Sequence, residues 1–332
     1  MNTKGAAVNK KTVIICLAII LWTAAAANFW RFSPPDPDCV KAISLYSELL
    51  EETSIIGPDY SSLTTTLGSF AAKKSSENPV TAAIMVKLLK NAGAAPHSAL
   101  AINASGSFPG FVLAALSACS VLDIKTYVIA SVGSSTFGAN MPGNTIADIL
   151  LKDRVRRLGY TLLAVTPGGS GDRGMELDTE ELERISEMLA KQDIAFIRPD
   201  NLSGAIALRE SLFRENNCNM LINIGGSHSS GGDNTDLALA SGLLKPKKKF
   251  YRGAGIIQVF LADGKTVIQI LNVRKLYNAY GLDFDENGKL AGSAERVLKW
   301  KKLSLPSVFI PILALLILPG IPRYSGIKKR RA

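Results

Sequence analysis

Histidine is nearly absent from this chain, which has two, His97 and His228, in 332 residues. With so few imidazoles, and no carboxylates clustered at ligand spacing, no ligand set for a catalytic zinc ion can be assembled. We therefore expect no metal site and no cofactor. Cysteine is almost as scarce. Cys16 lies in an apolar run, and Cys39, Cys119 and Cys218 are an odd number without metal-ligand or disulfide spacing. Cys119 and Cys218 read as buried thiols. The usual nucleotide signatures are missing too. No glycine-rich loop ends in Gly-Lys-Ser/Thr, and no Gly-x-Gly-x-x-Gly stands between a strand and a helix, which argues against an ATP-driven ligase.

Charge is absent from two long intervals, Lys11 to Arg31 and Lys302 to Arg323. The uncharged residues, 12–30 and 303–322, are each about the length needed to cross ~30 Å of hydrocarbon as helix. Beyond them lie short basic tails. Lys4, Lys10 and Lys11 precede the first, and Arg323, Lys328, Lys329, Arg330 and Arg331 follow the second. These tails hold eight of the net +10 charges, leaving +2 for everything between. Such a near-neutral middle is not a nucleic-acid surface.

The expected plan is a cytoplasmic tail (1–11), a transmembrane helix (12–30), an extracytoplasmic domain (31–302), a second transmembrane helix (303–322) and a second cytoplasmic tail (323–332). Short basic flanks stay on the cytoplasmic side of the plasma membrane, so both termini are expected inside. Lys299, Lys301 and Lys302 oppose this, but they end a long translocated domain, where charge counts for less. Trp22, Phe29, Trp30, Trp300 and Tyr324 suit an interfacial belt. Two alternatives stay open. Small residues at 24–27 suit a cleaved signal peptide, and Pro306, Pro311, Pro319 and Pro322 weaken a straight second helix, leaving a buried hairpin as the other choice.

Between the anchors, Phe32-Ser33-Pro34-Pro35-Asp36-Pro37 reads as a stiff linker. A helix is expected over 37–52. A second has Asn78 as N-cap, Pro79 at its first position and Gly93 as its stop. Residues 64–69 are β-leaning without a decisive period. Apolar runs at 98–103, 126–131, 160–166, 193–197 and 219–224 have strand length, and each is followed by a loop and a helical pattern. The clearest helix covers 178–191, with Asp178 and Glu181 spaced as a capping box. Near-continuous apolar strands alternating with helices predict an α/β domain around a doubly wound, mostly parallel sheet. Runs at 255–261 and 265–271 around Asp263-Gly264 predict a C-terminal antiparallel hairpin.

Candidate chemistry sits in four loops expected at the carboxyl ends of the strands, 104–110, 132–140, 167–174 and 225–233. Glycine-rich backbone at such ends suits an anion, a phosphate or a carboxylate. The ligand-binding candidates are Ser105, Gly106, Ser107, Ser134, Ser135, Asn140, Gly169, Asp172, Arg173, Ser227 and His228. Arg173 has the forked guanidinium for a carboxylate, with Asp172 to orient it, unless the pair only pins its own loop. The catalytic candidates are His228, as a base toward Ser105, Ser107, Ser134 or Ser135, and Asp172, with Ser107 and Ser134 the serines put first. An exposed, uninvolved His228 is the plainer alternative. Lys245-Pro246-Lys247-Lys248-Lys249 is a solvated basic run or a guide for a polyanion.

These loops also carry a resemblance. Thr64-Thr65-Thr66-Leu67-Gly68, residues 75–79, Gly106-Ser107-Phe108-Pro109, Ser131-Val132-Gly133-Ser134-Ser135 with Gly138-Ala139-Asn140, and Gly171-Asp172-Arg173-Gly174 resemble the poly-gamma-glutamate system protein family. The chain departs from it at Phe137, where a Trp is expected, and over residues 141–149. The resemblance implies a pathway and not a reaction. It implies a membrane component of poly-gamma-glutamate synthesis and export, with the polymer and other membrane subunits of the system as partners. The outer domain is then expected to bind polymer carboxylates or a partner subunit. The alternative is an extracytoplasmic hydrolase or transferase acting on gamma-glutamyl bonds.

Overall fold

The computed structural model describes residues 15–24, 34–232, 240–246 and 255–299. The chain divides into two units, Pro37–Leu298 and the residues flanking it on both sides. In the flanking unit, residues 15–24 are helical and Pro35 forms an isolated antiparallel bridge with Lys299. Among the described residues no helix is long and apolar enough to cross a membrane. The expected span at 303–322 lies outside the described residues, as does that at 12–30 except for 15–24.

The larger unit is a mixed α/β domain. Its seven-stranded sheet consists of β1 (Ala99–Ser105), β2 (Lys125–Ser131), β3 (Thr161–Thr166), β4 (Ala195–Phe196), β5 (Met220–Ile224), β6 (Gly242–Leu244) and β7 (Thr266–Ile270). The strand order is β6-β7-β5-β1-β2-β3-β4, and only the edge strand β6 runs antiparallel to its neighbour. Both faces are covered. Alternate residues of one strand enter different cores: Leu100, Ile102 and Ala104 pack with one set of helices, whereas Ala101 packs on the opposite side with Ile129, Leu221 and Val267.

The first core holds α1 (Pro37–Glu52), α2 (Val80–Ala92) and α3 (Pro109–Val121), and α3 is buried from Pro109 through Cys119. The start of α2 is one residue later than its sequence signals place it, with Pro79 at the N-cap and Val80 as the first helical residue. Asn78 Oδ1 accepts from the Val80 N–H at 3.0 Å, and Gly93 closes the helix at φ 83°. At α4 (Thr179–Ala190), Asp178 caps the Glu181 N–H as the spacing predicts. The Glu181 carboxylate does not return to close the box. It accepts instead from Arg184 and from the Gly143 N–H.

The hairpin expected around Asp263-Gly264 is not formed. Residues Ile256–Ala262 are a helix, α6, and β7 pairs in parallel with β5. Gly264 at φ 75° ends that helix, with the Lys265 N–H reaching back to Phe260 O at 2.9 Å. A glycine in this conformation serves a helix C-terminus as readily as a tight hairpin. The antiparallel hairpin of the C-terminal region lies further on, Leu282–Phe284 against Leu290–Gly292.

The chain lays β1 to β4 outward in one direction, then returns to place β5 on the other side of β1. The strand order therefore reverses between β1 and β5. Beyond the carboxyl ends of those two strands is where an open parallel sheet offers a crevice for a ligand.

Candidate functional site

At this reversal the loops approach closely. Gly225, the first residue after β5, has φ 101°, and a Cβ there would overlap Ser105 Oγ. Only glycine permits both the angle and the approach. A cavity of about 550 Å³ opens alongside. All four predicted loops reach it, through Ser105, Ser107 and Phe108, through Gly133 and Ser135, through Gly168, Gly169 and Ser170, and through Gly226, Ser227 and His228.

A fifth segment joins them. Thr64–Thr66 forms a short strand parallel to Ser134–Ser135, and the Gly68 N–H donates to Thr136 Oγ1 at 2.8 Å. This clamp brings Thr65, Gly68 and Lys73 to the cavity. Lys73 lies in a one-turn helix, Phe70–Lys74, whose N-cap Ser69 accepts from the Ala72 N–H.

Lys73 is the central feature of the site. It lines the cavity yet is only 1 % exposed. Nζ donates to Ser135 Oγ at 2.8 Å and sits 4.8 Å from the centroid of the Phe108 ring. Among the described residues no carboxylate pairs with it. An ammonium has three donors, and Ser135 engages one. Burial penalises the charged form and pulls its pKa down to about 8. Ser135 is held in turn, its N–H donating to Ser107 Oγ at 3.1 Å. Gly68 leaves room for the pair: an added Cβ there would overlap Lys73 Nζ and come within 2.8 Å of Ser135 Oγ. Glu176, the one carboxylate lining the cavity among the described residues, is exposed and accepts from the Ser170 N–H at 2.7 Å.

Of the residues singled out from sequence, Ser105, Ser107, Ser135, Gly169, Ser227 and His228 line the cavity. Gly106, Ser134, Asn140, Asp172 and Arg173 do not. At Gly106 an added Cβ would meet Val132 O at 2.7 Å and Ser134 Cβ at 2.9 Å. Ser134 is fully buried and its hydroxyl donates to Ser135 O. Asn140 braces the fifth segment, donating to Pro58 O and Thr64 Oγ1, while its buried Oδ1 has no partner among the described residues. Arg173 is exposed and points to no cavity residue through any hydrogen bond of its side chain among the described residues.

The expected partnership of Asp172 with Arg173 is replaced by another. Asp172 is buried and pairs with the buried Arg209 of α5 (Leu202–Glu215) at 2.7 Å. All five guanidinium hydrogens are used, on Asp172, Ala205 O, Asn103, Ser131 and Thr166. From Asn103 the network continues across the sheet to Asn223 and Gln269. Asp172 therefore fastens its loop to the sheet and is unavailable to a ligand.

The serine–histidine pairing is not formed either. His228 Nδ1 accepts from the Gly171 N–H at 3.2 Å, and among the described residues no hydrogen bond joins it to a serine. Cys119 and Cys218 are buried, and desolvation pushes both thiols up to about 12, so neither is a nucleophile. Among the described residues no group of three His, Cys, Asp or Glu side chains is placed to hold a metal ion.

No protein-family model matches the chain, and no curated protein matches it.

Proposed function

We propose that this chain is a membrane-anchored component of the poly-gamma-glutamate synthesis and export system, and that its α/β domain binds carboxylates of the polymer in the cavity at the β1/β5 reversal. The observation that carries the ligand chemistry is Lys73, a buried cation in the cavity wall with no carboxylate partner among the described residues. A buried ammonium is costly until an anion joins it. A bound carboxylate supplies that charge, and the glycine- and serine-rich loops surround it with backbone and hydroxyl groups.

The pathway rests on the loop resemblance, and the topology on the two uncharged intervals with basic tails. In this reading both termini are cytoplasmic and the domain faces outward, where the emerging polymer and the other membrane subunits of the system are its partners. Nucleic acid is not a partner. Titration of the full-length protein in detergent with γ-linked glutamate oligomers tests the reading, and saturable binding that weakens in Lys73→Met is the expected outcome.

A further inference from the structure

The cavity contains one arrangement that binding alone does not require. Lys73 Nζ touches the hydroxyl of Ser135 at 2.8 Å, both side chains line the same cavity, and Ser135 is fixed through its backbone by Ser107 Oγ. The Phe108 ring holds the ammonium from another side. Gly68, its backbone clamped to Thr136, leaves open the space a side chain would take from this pair.

We propose that Ser135 is a nucleophile and Lys73 its general base, so that the domain transfers or hydrolyses the acyl group of an amide or ester whose acyl part carries a carboxylate. The proposal rests on the cavity being the ligand site, as argued above, and adds a reaction to it.

In the step, the neutral amine of Lys73 takes the Ser135 Oγ proton as Oγ bonds to the acyl carbon. Collapse of the tetrahedral adduct breaks the carbon–nitrogen bond of an amide or the carbon–oxygen bond of an ester, and Lys73 passes that proton to the departing amine or alcohol. The ester on Ser135 is then opened by water, giving a carboxylic acid, or by a second amine, giving a new amide. Either route returns the hydrogen to Ser135 Oγ. No oxidant, metal or nucleotide is consumed. Burial favours the neutral amine this chemistry needs. With Lys73 at about 8, a fraction on the order of one in ten is neutral near pH 7.

The test is covalent labelling of the full-length protein in detergent with a fluorophosphonate, mapped by peptide mass spectrometry. Labelling is expected on Ser135, with a rate that rises as pH passes through about 8. Ser135→Ala should abolish it. Lys73→Met and Lys73→Arg should each slow it by roughly a hundredfold or more, with thermal unfolding of both variants establishing that they are folded. No adduct on Ser135, or an adduct formed equally fast without the Lys73 amine, overturns the proposal. Saturable oligomer binding without an adduct overturns the reaction and leaves the binding reading standing. An adduct that γ-linked glutamate oligomers fail to protect keeps the serine chemistry and overturns the ligand.

Discussion

Arg209 Nη1 lies 2.7 Å from Asp172 Oδ2, and neither side chain reaches solvent. This pair ties the loop after β3 to helix α5 and, through Asn103 and Asn223, to the strands at the switch point. Removing one member leaves a buried charge without its counter-ion. Asp172→Ala or Arg209→Ala should therefore destabilise the domain by about 3–5 kcal/mol. Replacing both together with apolar residues, Asp172→Leu with Arg209→Met, should cost less than either single change. Thermal or denaturant unfolding of the three variants checks this; additive losses would show that the two charges act independently.

Lys73 should show the opposite behaviour. Its folded-state pKa is about 8, against an ordinary 10.5. Between those values the unfolded chain binds more protons, so this group makes stability rise with pH. Below about 8 its full burial cost is present. Lys73→Met removes that cost, and at pH 7 the apo protein should gain about 1–3 kcal/mol while losing its ligand. The gain should shrink as pH rises toward 10.5. Melting temperatures of both proteins across this range decide the matter, and a pH-independent difference would argue against a buried, depressed lysine.

Arg173 stands apart from the cavity and is exposed. Arg173→Ala should leave both stability and oligomer affinity within about 0.5 kcal/mol of the parent. A tenfold weaker affinity in calorimetry would return Arg173 to the ligand.

Much of this arrangement was legible in the sequence, and the failures have physical causes. The parallel strands announced themselves because a strand buried on both faces is apolar almost throughout, as in Leu100 to Ala104. The four loops were legible as glycine- and serine-rich stretches following those runs. Asp263-Gly264 misled because a positive-φ glycine ends helices as well as hairpins, and the following strand was apolar either way. Arg209 left a faint signal, a charged residue one turn from Ala205 and Phe213 on the buried side of α5. Lys73 left none. It is one of two adjacent lysines, and only the clamp between residues 64–68 and the loop after β2 turns it inward, a long-range pairing that local periodicity does not report.

The topology makes its own prediction. If both basic tails are cytoplasmic, as proposed, protease added to intact protoplasts should digest the domain and spare tags placed at either terminus. A protected domain with accessible tags would reverse the orientation and remove the polymer outside the cell as a ligand.

The central claim is that Lys73 holds a carboxylate in the cavity at the β1/β5 reversal. Calorimetric titration of the full-length protein in detergent with γ-linked glutamate oligomers at pH 7, parent against Lys73→Met, tests it most directly. Loss of one charge-assisted contact of ~1.5–3 kcal/mol predicts roughly ten- to a hundredfold weaker binding in the variant. Equal affinity in the two proteins, or no saturable binding to the parent, would contradict it.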